Sequence, residues 1–129
     1  MLLEVLLVFA GGGLGALARW WLSSVVQKYT SPFFPWGTLA VNLLGSLLLG
    51  FIMEASAIYG VFTRQQRLLL ATGFCGGFTT FSTFSYETFS LLAEGPSLYA
   101  LANIALNVLG GLAAVYLGMV AARAIYARP

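Results

Sequence analysis

The chain has 129 residues, 60% of them hydrophobic and only 8% charged, with a formal net charge of +2 and a mean hydropathy of +0.90. Six basic and four acidic side chains cannot supply the charged shell of a soluble domain of this length, and so small and scattered a charge excludes a nucleic-acid surface. One cysteine permits no intrachain disulfide, and the absence of histidine removes the commonest metal ligand and proton shuttle.

A bilayer-spanning helix takes about 20 mostly apolar residues. Four such helices with short turns use up residues 1–129 as one domain, so an all-α membrane protein is expected. The first helix is predicted over residues 3–26. Glu4 stands where a signal peptide would carry basic residues, and the apolar run continues past Gly15, so a span is expected here in preference to a cleaved leader. The Gly11-Gly12-Gly13 cluster is expected to interrupt it. Arg19 lies in its second half, followed by Trp20 and Trp21, a pair suited to the membrane interface. Residues 27–36, with Lys28, Pro32 and Pro35, read as a loop.

The second helix is predicted over 37–59. Thr38, Asn42, Ser46, Gly50 and Glu54 recur every four residues along it and fall on one slowly drifting stripe. Arg64, Gln65, Gln66 and Arg67 form a polar turn. The third helix is predicted over 68–93, broken near 76–80 and ended by Glu94-Gly95-Pro96. The fourth covers 97–122 and repeats the stripe with Asn103, Asn107 and Gly111, before a tail bearing Arg123 and Arg128. An even number of spans puts both termini on one face together with Arg64, Arg67, Arg123 and Arg128, leaving Lys28 and Arg19 toward the other. That bias places the termini in the cytoplasm, but it is modest enough to permit insertion both ways.

The polar stripes have two readings. Small residues let helix backbones approach, and an asparagine can bridge two helices. Intramembrane polar groups also line partner surfaces and ion paths. A four-helix bundle has no room for a wide passage, so the second reading implies an oligomer.

Residues 73–87, GFCGGFTTFSTFSYE, are the most informative segment. Gly73, Gly76 and Gly77 are weak helix formers that free the backbone to leave helical geometry. Irregular backbone in a membrane is tolerated only where protein buries it or water reaches it, and discontinuous spans are where transporters offer carbonyls to cations and donors to anions. Phe81 and Phe84, three apart, share a helix face. Aromatic rims are electropositive, so ring edges can stand beside an anion, with Ser82 and Thr83 hydroxyls on neighbouring faces. Ordinary aromatic packing, with Ser and Thr bonding the preceding turn, is the plainer alternative.

This segment closely resembles the signature of the Fluc (CrcB) fluoride channel family. Gly11-Gly-Gly-x-Gly-Ala-x-x-Arg19 and Gly37-Thr-Leu-x-x-Asn-x-x-Gly45 agree with it in order along the chain. The resemblance implies an antiparallel, dual-topology homodimer in the cell membrane, passing fluoride passively out of the cytoplasm. It implies a fluoride pathway at Phe81, Phe84, Asn42, Ser82, Thr83, Asn103 and Asn107, with no hydroxyl at Gly111 to extend it. It also implies a structural sodium ion at the dimer interface, held by the backbone carbonyls of Gly76 and Thr79. Arg19 either faces a vestibule and attracts anions or snorkels to the headgroups. Glu87 is expected to cap or pair, since a carboxylate on an anion path repels.

Rival readings are a proton-coupled multidrug exporter, which needs a carboxylate deep in the first helix where this chain has only the terminal Glu4, and a non-transporting subunit of a larger complex. An enzyme is not expected: no base accompanies a nucleophile, and the Gly11 to Gly15 run has no preceding strand and serves as a packing surface.

Overall fold

The computed structural model describes residues 1–127; Arg128, assigned above to the terminal face, lies outside them. Among the described residues every regular element is helical. Helix α1 is Leu2–Lys28, α2 Trp36–Tyr59, α3 Arg64–Arg67, α4 Gly76–Phe78, α5 Phe81–Glu94 and α6 Ser97–Tyr126, with a π-helical segment, Leu68–Cys75, between α3 and α4. Three of these, α1, α2 and α6, are long and apolar enough to cross a membrane.

The glycine cluster of α1 does not interrupt it. Helical φ,ψ costs glycine only entropy, and the missing side chains let α1 lie against the π-helical segment and α4. A Cβ on Gly11 would collide with the Leu69 carbonyl oxygen, one on Gly15 with that of Phe74, and one on Gly77 with that of Gly12. The pairing of α2 with α6 follows the same rule, since a Cβ on Gly50 would strike the Val115 carbonyl oxygen and one on Gly118 that of Leu47. Close backbone approach through small residues is how membrane helices associate, because lipid supplies no hydrophobic drive between them.

The turns are held by side chains. Gln27 Nε2 donates to Ser31 O at 3.1 Å and Phe34 O at 2.9 Å, while its Oε1 accepts from Gly37 N at 3.0 Å. Gln27 thus ties the end of α1 to the start of α2 across a proline-containing loop. Gly60, with φ 61°, ends α2 in the left-handed conformation that suits glycine. Residues 64–67, expected as a turn, are a helical turn because Thr63 and Gln66 form a capping box. Thr63 Oγ1 accepts from Gln66 N at 3.2 Å, and Gln66 Oε1 accepts from Thr63 N at 2.9 Å.

Helix α6 runs four residues past its expected end at 122 because its last turn docks on α2. Arg123 Nε meets Glu54 Oε1 at 3.2 Å, and the Tyr126 ring lies 6.0 Å from Phe51 and 6.1 Å from Tyr59. Glu4 near the start of α1 pairs with Arg64 at 3.2 Å. Both ends of the described chain therefore lie on one side of the bundle. The interior is thin. Cys75 is buried with Ile52 and Ala71, whereas Phe9, Leu109 and Leu112 on α1 and α6 are exposed, as expected of surfaces meant for lipid or a second chain.

The glycine contacts give a paired expectation. Gly11→Ala forces α1 off the π-helical segment and costs about 1–3 kcal/mol. Gly13→Ala, where nothing lies within 4 Å of the added Cβ, leaves stability unchanged or higher. The fraction surviving heating in detergent, read by size-exclusion chromatography, separates the two.

Candidate functional site

Glycines at 73, 76 and 77 were expected to break the third helix, but they keep helical or π-helical backbone. The residues that leave helical geometry are threonines. Thr79 has φ −92°, ψ 159° and Thr80 φ −147°, ψ 121°. Both values are ordinary extended backbone for β-branched residues. Gly73 and Gly77 instead serve the close contact with α1.

Extended backbone between two helices frees amides and carbonyls that need partners. Thr80 N–H donates to Asn42 Oδ1 at 2.8 Å. Thr80 O accepts from Asn42 Nδ2 at 3.1 Å, so one asparagine from α2 engages both backbone groups of Thr80. Thr80 then caps α5, its Oγ1 accepting from Thr83 N at 3.1 Å. Gly77 O accepts from Arg19 Nε at 2.9 Å. Through Nε, Arg19 caps a carbonyl at the end of α4.

In an unbroken helix the amides of Thr80 and Thr83 would reach the carbonyls of Gly76 and Thr79. Both amides are diverted, to Asn42 and to the Thr80 hydroxyl. An interruption at this point releases the carbonyls of Gly76, Gly77, Phe78 and Thr79; Arg19 takes that of Gly77, and of the remaining three residues Gly76 and Thr79 line one cavity. Hard cations take oxygen ligands, backbone carbonyls among them, so the carbonyl oxygens of these two residues are of a kind that suits a sodium ion.

That cavity, about 610 Å³, brings together Asn42, Gly76, Thr79, Phe81, Phe84 and Asn107. Phe81 and Phe84 meet edge to face, their ring centroids 5.8 Å apart at 63°. Phe84 is buried while Phe81 is 79% exposed. Ser82 and Thr83 lie beside the cavity without lining it, and Ser82 Oγ shares a 3.4 Å hydrogen bond with Thr80 Oγ1. Asn103 is fully buried and belongs to the hydrogen-bonded interior behind the cavity.

Asn42 lines the cavity, but both hydrogens of its amide are engaged, with Thr80 O and with Asn107 Oδ1 at 2.9 Å. Asn107 in turn donates to Asn103 O at 2.9 Å and Asn103 Oδ1 at 3.0 Å. Asn103 Nδ2 donates to Thr88 Oγ1 at 2.9 Å, and the Thr88 hydroxyl to Phe84 O at 2.7 Å. Sequence reasoning missed Thr80 and Thr88. The extended Thr80 carried a recognisable signal, a threonine three residues ahead of its capped amide. Thr88 carried none beyond its spacing of four from Phe84. Glu87, expected to cap or pair, shares a side-chain hydrogen bond with Thr38, while its Oε1 is buried with no hydrogen-bond partner among the described residues.

The family model "CrcB-like protein, Camphor Resistance (CrcB)" matches residues 6–119. Proteins named "Fluoride-specific ion channel FluC" are similar along nearly their whole length. That of Pyrococcus furiosus is 54% identical over 93% of this chain and 96% of its own. Those of Pyrococcus abyssi and Methanocaldococcus jannaschii are each 48% identical, over 92% and 98% of this chain and 94% and 99% of their own.

Replacing Arg19 by Met keeps the aliphatic stem and removes the donor to Gly77 O. Leaving that carbonyl unpartnered costs about 1–3 kcal/mol, seen as a lower temperature of half-unfolding in detergent than for the parent protein.

Proposed function

The chain belongs to the CrcB family, and from that premise we infer that it is a fluoride-specific ion channel, a multi-pass membrane protein that lets fluoride leave the cytoplasm passively. It is a conduit and not an enzyme. The supporting observation is the edge-to-face pair of Phe81 and Phe84 on a cavity whose wall is extended backbone, beside the hydroxyls of Ser82 and Thr83. Fluoride is small and holds its water tightly, so a path for it must replace that water. Electropositive ring rims and hydroxyl hydrogens can do so. A narrow aromatic gap refuses larger halides, which fit neither the space nor the donor spacing.

No fuel is required. Neutral HF crosses membranes from acidic surroundings, dissociates inside and is trapped as the anion. An inside-negative potential drives the anion outward, worth about 2.3 kcal/mol per charge per 100 mV.

Residues 68–94 form a further span, giving four. Between 68 and 94 the chain reaches about 40 Å at about 1.5 Å per residue, more than the roughly 30 Å of hydrocarbon, and the span is broken at Thr79 and Thr80. The functional unit is a homodimer of two chains inserted upside down relative to one another. The exposure of Phe81 supports it, since one chain leaves that ring uncovered. Sodium belongs at the centre of that dimer, held by the carbonyl oxygens of Gly76 and Thr79 from both chains. When bound, it supplies a positive charge that ties two broken spans together.

Purified protein in liposomes is expected to release fluoride to an electrode when a potassium ionophore supplies countercharge, and to retain chloride. Phe81→Ile lowers that release about ten-fold or more, a barrier change of about 1.4 kcal/mol. Chloride released as fast as fluoride would exclude the selectivity claimed. Exchanging all sodium for a bulky organic cation is expected to abolish release and to bring it back when sodium returns; release indifferent to sodium would remove the ion from this picture.

A further inference from the structure

Five hydrogen bonds described above join into a single directed chain. It begins at Thr80 N–H, passes through Asn42, Asn107 and Asn103, and ends through the Thr88 hydroxyl at Phe84 O. Its two ends are backbone groups of fixed character, a donor at Thr80 and an acceptor at Phe84. That fixes every link between them. Thr88 must give its hydrogen to Phe84 O, so its oxygen accepts from Asn103, whose own oxygen accepts from Asn107, and so on back to Thr80. Turning any one amide over would set N–H against N–H.

The ends lie four residues apart on α5, one helical turn, and that turn carries both Phe81 and Phe84. The chain between them leaves α5, crosses α2 and α6, and returns. We propose that it is a strap that sets the turn bearing the aromatic pair, and that Thr88 and the three asparagines are positioning residues for those rings and not ligands of the ion. The amide count supports this. Both hydrogens of Asn42 are spent on protein oxygens, as are both of Asn107. Asn103 and Thr88 are buried and away from the cavity wall. Buried networks in which each member is satisfied rigidify what they connect, and a site is only as well placed as the groups that support it.

The proposal rests on the reading that Phe81 and Phe84 lie on the fluoride path, and the test separates the two. Thr88→Val keeps the shape and removes the hydroxyl, cutting the strap at Phe84 O and at Asn103. Thr88→Ser keeps both bonds, and Thr88→Cys, a weak donor, is intermediate. Two readouts are taken on the full-length protein: unitary fluoride current in planar bilayers, and amide hydrogen exchange across residues 79–84. A loss of folding lowers the number of channels but not the current through each one. The expectation for Thr88→Val is a unitary current about ten-fold lower and exchange about ten-fold faster. Thr88→Ser stays within about two-fold of the parent on both. Should Thr88→Val fail to fold, the same ordering of Thr88→Cys below Thr88→Ser decides. Unchanged unitary current in Thr88→Val or Thr88→Cys, or equal losses in the Ser and Val variants, overturns the strap. Should the parent pass no fluoride, the channel reading itself fails. Hydrogen exchange then still decides the strap, which unchanged exchange at 79–84 overturns.

Discussion

A polar backbone group inside a membrane must find a partner within the protein, and the interruption at Thr79 and Thr80 is organised around that constraint. Four bonds meet it: Asn42 takes both the amide and the carbonyl of Thr80, the Thr80 hydroxyl takes the amide of Thr83, and Arg19 takes the carbonyl of Gly77. What these bonds leave over is as informative as what they satisfy. Of the carbonyls the interruption releases, those of Gly76, Phe78 and Thr79 take no part in these four bonds, and Gly76 and Thr79 line the cavity. The cation site proposed there would draw on the remainder of a hydrogen-bond account and needs no acidic side chain.

The same constraint explains the rest of the architecture. For Arg19 and Asn42 to reach the interruption, α1 and α2 must lie very close to it. Bare glycine surfaces at Gly11, Gly15 and Gly77 bring α1 up to the π-helical segment and α4. Gly50 and Gly118 bring α2 and α6 together, which in turn sets Asn42 beside Asn107. Packing through missing side chains therefore precedes and permits the polar contacts.

The long helices were legible because an apolar stretch of membrane length is a property of consecutive residues. So was the neighbourhood of the interruption, where glycine, phenylalanine and hydroxyl residues crowd together. Its mechanism was not. Glycine was read for its freedom at 73, 76 and 77, while the structure uses it there for close approach and gives the extended backbone to Thr79 and Thr80. The supposed gap in α1 failed for the same reason. Arg19, Asn42 and Thr88 act across the bundle, over separations that no periodicity records: Arg19 reaches Gly77, Asn42 reaches Thr80 and Asn107, and Thr88 meets Asn103. The capping box at Thr63 was the exception. Its T-x-x-Q spacing was readable, but it was taken for a polar turn.

Cys75 offers a last consequence. The sole sulfhydryl of the chain is 3% exposed, packed beside Ile52 and Ala71. To a water-borne maleimide the molecule is close to unreactive as it stands. A cysteine written into the Gly95-Pro96 connection would thus be a unique chemical address for a fluorophore or spin label, with no need to strip the native sulfur from beneath the interrupted segment.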